Sequence, residues 1–282
     1  MKKFEKFETP VQNSMEERAY FERVKDVNKF LGTIAGELRR ENIPVDDEAR
    51  ITIGAFADAY PDTKKDMLEI KALQRKFNQN VPASEAHEKR LESKGEQLEI
   101  LAAIALFKKL RNRFIVARTS LYDDYKNKVD MLIIERATNT PLCTIDEVSA
   151  IGGPKFEQKK AFTLEQNGRR HGATVKYGLS VSEDGTQIDK TEMLHIPSFY
   201  LPLPPDRLAA GMKEVELSLE KESEFENNFF EYFKTTIAAQ TAGALFAYPN
   251  MDNTMKKRLI ALQDAIANMD NTMEATTGKT AL

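Results

Sequence analysis

The segment VDMLIIERATNTPLCTIDEVSA, Val129 to Ala150, reads as two apolar β-strands joined by a turn, and both arms carry acid. Asp130 opens the first arm, and Asp146 and Glu147 interrupt the second. Side chains alternate across a strand, so Glu147 and Ser149 share one face while Asp146 and Val148 share the other. A short turn lets Asp130 stand beside Glu147. Bare carboxylates that close raise one another's pKa. Mg²⁺ or Mn²⁺ between them removes that cost, because hard cations take oxygen ligands. A metal so held polarises a phosphate, lowers the pKa of a bound water and stabilises a charged leaving oxygen. Each acid also has an ordinary place: Asp130 beside Lys128 at a strand start, Asp146 and Glu147 as charges that keep an edge strand from aggregating.

The elements that must position these acids follow from periodicity. Apolar residues at Phe21, Val24, Val27, Phe30, Leu31, Ile34 and Leu38 form one stripe, which predicts a helix over 15–41. Asp46 or Asp47 is a candidate cap for a short helix through Ala59, and Asp62 for another reaching Phe77. A long helix over 84–110 follows, strongly apolar in its second half. Strands are predicted over 113–120, 129–136 and 142–150, a helix over 154–170, and strands over 173–182 and 193–203. The turn YDDYKNK carries adjacent acids, Asp123 and Asp124, a pair suited to a cation or simply to a turn. From Pro204 the pattern is helical. NMDNTM occurs at 250–255 and at 268–273, an offset close to five helical turns that would put both copies on one face.

The order helix, three strands, helix, strand, with Glu96 in GEQLEILAAIALFKKL, Asp130 in VDMLII and Glu147 in IDEVSA, resembles the PD-(D/E)XK nuclease superfamily. The resemblance covers about residues 90–182 and implies a restriction-endonuclease-like core. It implies an α/β fold with a mixed-sheet core, placed over 84–203, and leaves unexplained the helical segments that periodicity predicts on either side, over 1–83 and 204–282. Carried over, Asp130 and Glu147 are the metal-binding strand acids and Glu96 the helical one. Ser149 stands where the family places its lysine. Some members supply that cation from the following helix, where Lys155, Lys159 and Lys160 lie, and Lys159 is the preferred substitute.

Charge is unevenly spread. The chain has 282 residues and a net charge of −3, yet 108–176 holds fourteen Lys and Arg against eight Asp and Glu. Lys126, Lys128, Arg169, Arg170 and Lys176 are candidates for drawing in a phosphate backbone without reading bases. One cysteine, Cys143, excludes an internal disulfide and a cysteine zinc site, and a buried strand thiol is the simplest place for it. The beginning of the chain lacks the apolar run of a secretory signal, and no stretch approaches the ~20 apolar residues of a membrane span. The expectation is a cytoplasmic protein without membrane association. Neither GxxxxGK[ST], GxGxxG nor GxSxG is present.

Three functional expectations result. The first is a Mg²⁺- or Mn²⁺-dependent nuclease hydrolysing DNA phosphodiester bonds, with Asp130, Glu147 and Lys159 at the chemistry. The second, favoured by Ser149, is an inactive nuclease-like fold that binds nucleic acid or a protein. The third is a helical interaction protein or homo-oligomer, using an apolar stripe of Phe225, Phe229, Phe230, Phe233, Ile237 and Leu245.

Overall fold

The computed structural model describes residues 10–77, 81–82, 84–138, 140–149, 151–181 and 188–269. Helices α1 (Pro10–Arg40), α2 (Thr63–Phe77), α3 (Ala86–Leu91) and α4 (Lys94–Leu110) precede strands β1 (Phe114–Arg118), β2 (Met131–Glu135) and β3 (Pro141–Val148). Helix α5 (Pro154–Gly168) leads to β4 (Ala173–Val181), β5 (Ile188–Ile196) and β6 (Ser198–Pro202). Helices α6 (Pro205–Glu214), α7 (Glu224–Ala247) and α8 (Asn253–Ala267) follow. The fold is α/β, with helices on either side of the strands in sequence, as the sequence predicts.

The main sheet has the order β1-β2-β3-β6. β1 to β3 run antiparallel, and β6 lies parallel to β3. A parallel neighbour requires a crossover, and α5 is part of it. Gly152 and Gly153 both have positive φ, 89° and 84°, which lets the chain leave β3 and enter α5 at Pro154. That turn fixes where the lysines of α5 fall relative to the acids of β3.

Helix α4 is the axis of the core. Ile100, Leu101, Ala102, Ile104, Ala105 and Leu106 are fully buried, and the helix packs on β1, β3, α1, α6 and α7. The α1 stripe of Val24, Val27, Leu31, Ile34 and Leu38 is buried too, each side chain contributing about 1.5–3 kcal/mol. Charges on so enclosed a helix need partners. Lys108 donates to Glu226 Oε1 at 2.6 Å and to the carbonyls of Glu216 and Lys221, so α7 is locked onto α4. The stripe on α7 is core: Phe229, Phe230, Phe233 and Ile237 are buried, and Phe225 and Leu245 pack against them.

Several expectations are corrected. Residues 46–59 do not form a helix. Asp46 Oδ1 accepts the N–H groups of Glu48 and Arg50, closing a local turn instead of capping a helix. Val45 then pairs with Ile51, and only Ile53–Phe56 forms a 3-10 turn. The helix expected over 84–110 breaks at Ser93, whose side chain caps α4 through the N–H of Glu96. The strand after α5 is not the fourth strand of the main sheet. β4 pairs with β5 in a separate ribbon, and β6 takes the place beside β3. Pro197, lacking an N–H, separates β5 from β6 inside the strand expected over 193–203. The first NMDNTM copy caps α8 through Asp252, and the second begins at Asn268, beyond its end, so the copies share no helix face. Residues 270–273 of that copy lie outside the described residues.

No helix among the described residues is long and apolar enough to cross a membrane. Cys143 is fully buried, and burial raises its thiol pKa well above the ordinary value.

Candidate metal centre

Acids from a helix, a turn and a strand start converge where α4 meets the β1–β2 connection. One carboxylate oxygen from each of Glu99, Asp124 and Asp130 lies within 4.8 Å of the others. Asp130 is buried, and Glu99 and Asp124 are half-buried, leaving the cluster accessible from their side. Oxygen ligands spaced this way suit a hard divalent cation. The sequence pattern does not single out Glu99, and it offers Asp124 only as half of an adjacent pair suited to a cation or to a turn.

Asp124 is delivered by a π-helical turn, Asp123–Asn127, closed by Lys128 in the left-handed conformation at φ 58°. The two acids of YDDYKNK divide the labour. Asp123 is fully buried and accepts from Ser120 Oγ, Asn127 Nδ2 and the N–H groups of Lys176 and Tyr177, which pins the turn to β4. Asp124, one residue on, joins the cluster. Burial pushes its pKa up to about 6 against the pull of Arg50.

Asp130 and Glu147 stand together, as the hairpin pattern predicts. Asp130 donates its N–H to the carbonyl of Ile145 at 2.9 Å, and its Oδ2 accepts the N–H of Glu147 at 2.9 Å. The two carboxyl groups are close enough to influence one another's ionisation. Both oxygens of Glu147 are otherwise buried without a donor. Ionised together, the pair therefore requires something positive between or beside it. Burial, then the charge of Glu99, pushes Glu147 up to about 8, with Asp130 and Lys159 opposing. Burial, then Glu99, Asp146, Glu147 and Asp124, raises Asp130 far above an ordinary aspartate. An orphaned buried carboxylate beside three converging ones fits a divalent cation.

Glu96 has a different role from the one the motif assigns. Its Oε1 accepts from Arg118 Nη2 at 2.7 Å, and Arg90 lies 3.3 Å from its other oxygen. Burial would raise its pKa, but Arg118, Arg50 and Arg90 outweigh it and hold the group at about 2. This acid is neutralised by arginines and is not one of the three converging acids. Glu99, one turn further along α4, faces the same side. It pairs with Arg50 at 2.5 Å and Arg118 at 2.8 Å.

Lys159 reaches the end of β3. Its ammonium pairs with Asp146 and donates to the carbonyl of Glu147 at 3.0 Å. It thus sits against the backbone of Glu147, on the partner acid of the opposite strand face. Lys160 lines a separate concavity between α5 and α7, and the side chain of Lys155 lies outside the described residues. The five cations expected to draw in phosphate do not gather at the cluster. Lys126 pairs with Glu69, Lys128 donates to the carbonyl of Tyr125, and Lys176 pairs with Asp66. Arg169 lies over the Tyr248 ring, and Arg170 lies over Phe162 and pairs with Glu165. Each is held by a neighbour of its own.

No protein-family model, curated protein or solved structure matches the chain.

Proposed function

We propose that this protein is a divalent-cation-dependent phosphodiester hydrolase with a divergent PD-(D/E)XK-like core. The observation that carries the reading is the convergence of Glu99, Asp124 and Asp130 within 4.8 Å, beside the orphaned carboxylate of Glu147. The order of contributing elements supports it. An acid from α4 precedes Asp130 at the start of β2, Glu147 follows on β3, and α5 carries the chain across to a parallel β6. In this reading Glu99 takes the helical position assigned to Glu96 from sequence.

Asp130, Glu147, Glu99 and Asp124 would hold Mg²⁺ or Mn²⁺. The bound ion would supply Lewis-acid activation of a phosphate and of a water. Lys159 contributes positive potential at the same strand end, in place of the lysine that Ser149 lacks.

The experiment is incubation of purified protein with single- and double-stranded DNA and RNA, with Mg²⁺ or Mn²⁺ against EDTA. Metal-dependent cleavage lost in both Asp130→Ala and Glu147→Ala is expected. Absence of cleavage of every substrate with either metal rejects hydrolysis.

A second reading has its own observation. Arg50 already bridges Glu99 and Asp124, and Ser149 replaces the motif lysine. A nuclease-like fold retained for binding nucleic acid would look the same. Salt-sensitive binding without cleavage, unaffected by Glu147→Ala, would select it.

A further inference from the structure

We propose that Arg50 is a built-in counter-ion of the metal site and sets the cation concentration needed to fill it. The inference rests on the metal-site reading above and concerns how that site is controlled.

Arg50 comes from outside the helix-and-strand core, from the turn between α1 and the 3-10 segment. That turn is held by the Val45–Ile51 bridge and by a parallel bridge from Arg50 to Arg118 at the end of β1. The N–H of Ile51 donates to the carbonyl of Arg118, and the N–H of Arg118 to the carbonyl of Ala49. So anchored, the Arg50 side chain is only 2% exposed and enters the acidic cluster. Its Nη2 lies 2.5 Å from Glu99 Oε2, and its Nη1 lies 3.3 Å from Asp124 Oδ2. These are two of the three converging acids. No cation lies within ion-pair distance of Asp130 or Glu147 among the described residues.

The metal-free centre is therefore unevenly balanced. Arg50 serves both the helix and the turn acid, with Arg118 also on Glu99, while the two strand acids have no cation of their own among the described residues. A divalent ion that binds all four meets the fixed positive charge of Arg50 within a few ångströms. It must also compete with that charge for Glu99 and Asp124. Arg50 is imperfectly satisfied where it stands: its Nε has no hydrogen-bond acceptor among the described residues, and its Nη1 meets Asp124 Oδ2 as an ion pair at 3.3 Å. Such a group can yield its acids more readily than a fully bonded one. Metal affinity is thus lower than that of four free carboxylates, and any displacement of residues 45–51 raises it.

The test is a titration of the metal-free protein with Mn²⁺ at pH 7.5, read by the electron paramagnetic resonance of the free ion. It is run on the wild-type chain and on Arg50→Met, Arg50→Lys and Asp130→Asn. Arg50→Met is expected to bind Mn²⁺ about tenfold more tightly or better, from the loss of a like charge at close range. Arg50→Lys, whose single ammonium cannot bridge both acids, is expected to tighten binding about two- to threefold. Circular dichroism and the unfolding midpoint establish that each variant is folded. If Arg50→Met does not fold, the Lys variant decides: tighter binding supports the inference and unchanged binding overturns it. Equal or weaker Mn²⁺ binding by a folded Arg50→Met, in a protein whose wild type binds Mn²⁺ and whose Asp130→Asn does not, overturns the role of Arg50 alone. No Mn²⁺ uptake by any of them at millimolar concentration overturns the metal site and this inference with it.

Discussion

The N–H of Glu147 donates to Asp130 Oδ2 at 2.9 Å, so the first strand acid fixes the position from which the second is presented. The two residues form one unit: a clamp through the backbone and a repelling pair through the carboxyl groups. Burial and mutual repulsion raise the pKa of both groups, and a divalent cation would relieve that cost.

Asp130→Asn separates these roles. An amide keeps an oxygen for the N–H of Glu147 and offers an NH₂ to its orphaned carboxylate. At pH 8, without metal, the variant is expected to be more stable than wild type by about 1.5–3 kcal/mol, the value of a hydrogen bond to a charged group. It is expected to lose Mn²⁺ binding. Urea unfolding and a metal titration measure the two effects, and destabilisation by the amide would contradict the account.

The raised carboxyl groups set a pH dependence. Glu147 titrates at about 8 in the folded protein and near 4.3 when unfolded, and Asp130 is shifted in the same direction. Between those values the folded state holds protons that the unfolded chain releases. The contribution of these groups to stability therefore falls as pH rises from about 4.5 to about 8. Metal affinity should climb over the same interval as the proton becomes easier to displace. Glu96, held at about 2, stabilises the fold fully above about pH 4.3, and that stabilisation is lost as pH falls from about 4.3 toward 2. Denaturation at pH 5.5 and 8.5 on wild type and Glu147→Gln checks this. The pH-dependent loss should be smaller in the variant, and a loss equal to that of wild type contradicts the assignment.

Glu96 is structural. Glu96→Ala removes a partner of Arg118, whose side chain is fully buried. The expected cost is about 3–5 kcal/mol, typical of stranding a buried charge. Thermal unfolding would show it, and a cost below about 1 kcal/mol would mean that Glu99 alone satisfies Arg118.

Lys159 can be tested apart from metal binding. Lys159→Met should slow cleavage about 10²-fold, within the range of electrostatic and proton-transfer groups at active sites. Because Lys159 contacts Asp146 and a backbone carbonyl, metal affinity should change little. An unchanged cleavage rate would leave Lys159 as a brace between α5 and β3.

Much of this was legible in the sequence, for reasons of range. The hairpin acids could be placed because strand alternation and a short turn fix neighbours locally, and Asp130 and Glu147 do meet. Glu96 and Glu99 share a helix face and both pair with Arg118, and only the tertiary placement brings Glu99 rather than Glu96 within reach of Asp124 and Asp130. Asp124 was visible as half of an acidic pair, but its separation from Asp123 depends on β4 receiving one and not the other. Arg50 left no local signal. It lies 49 residues before Glu99 in the chain and arrives by a bridge to the end of β1. Which strand lies beside β3 could not be read locally, because local pattern cannot distinguish a sheet strand from one arm of a separate ribbon.

The central claim is that acids of α4, the π-helical turn and two strands hold one divalent cation. Crystals soaked in Mn²⁺ and measured at its absorption edge test it most directly. The account predicts an anomalous peak bounded by Glu99, Asp124, Asp130 and Glu147, with carboxylate oxygens at about 2.0–2.4 Å, the range for divalent cations with oxygen ligands. Diffraction that resolves those four side chains at saturating Mn²⁺, with no peak among them and Arg50 still bridging Glu99 and Asp124, would contradict it.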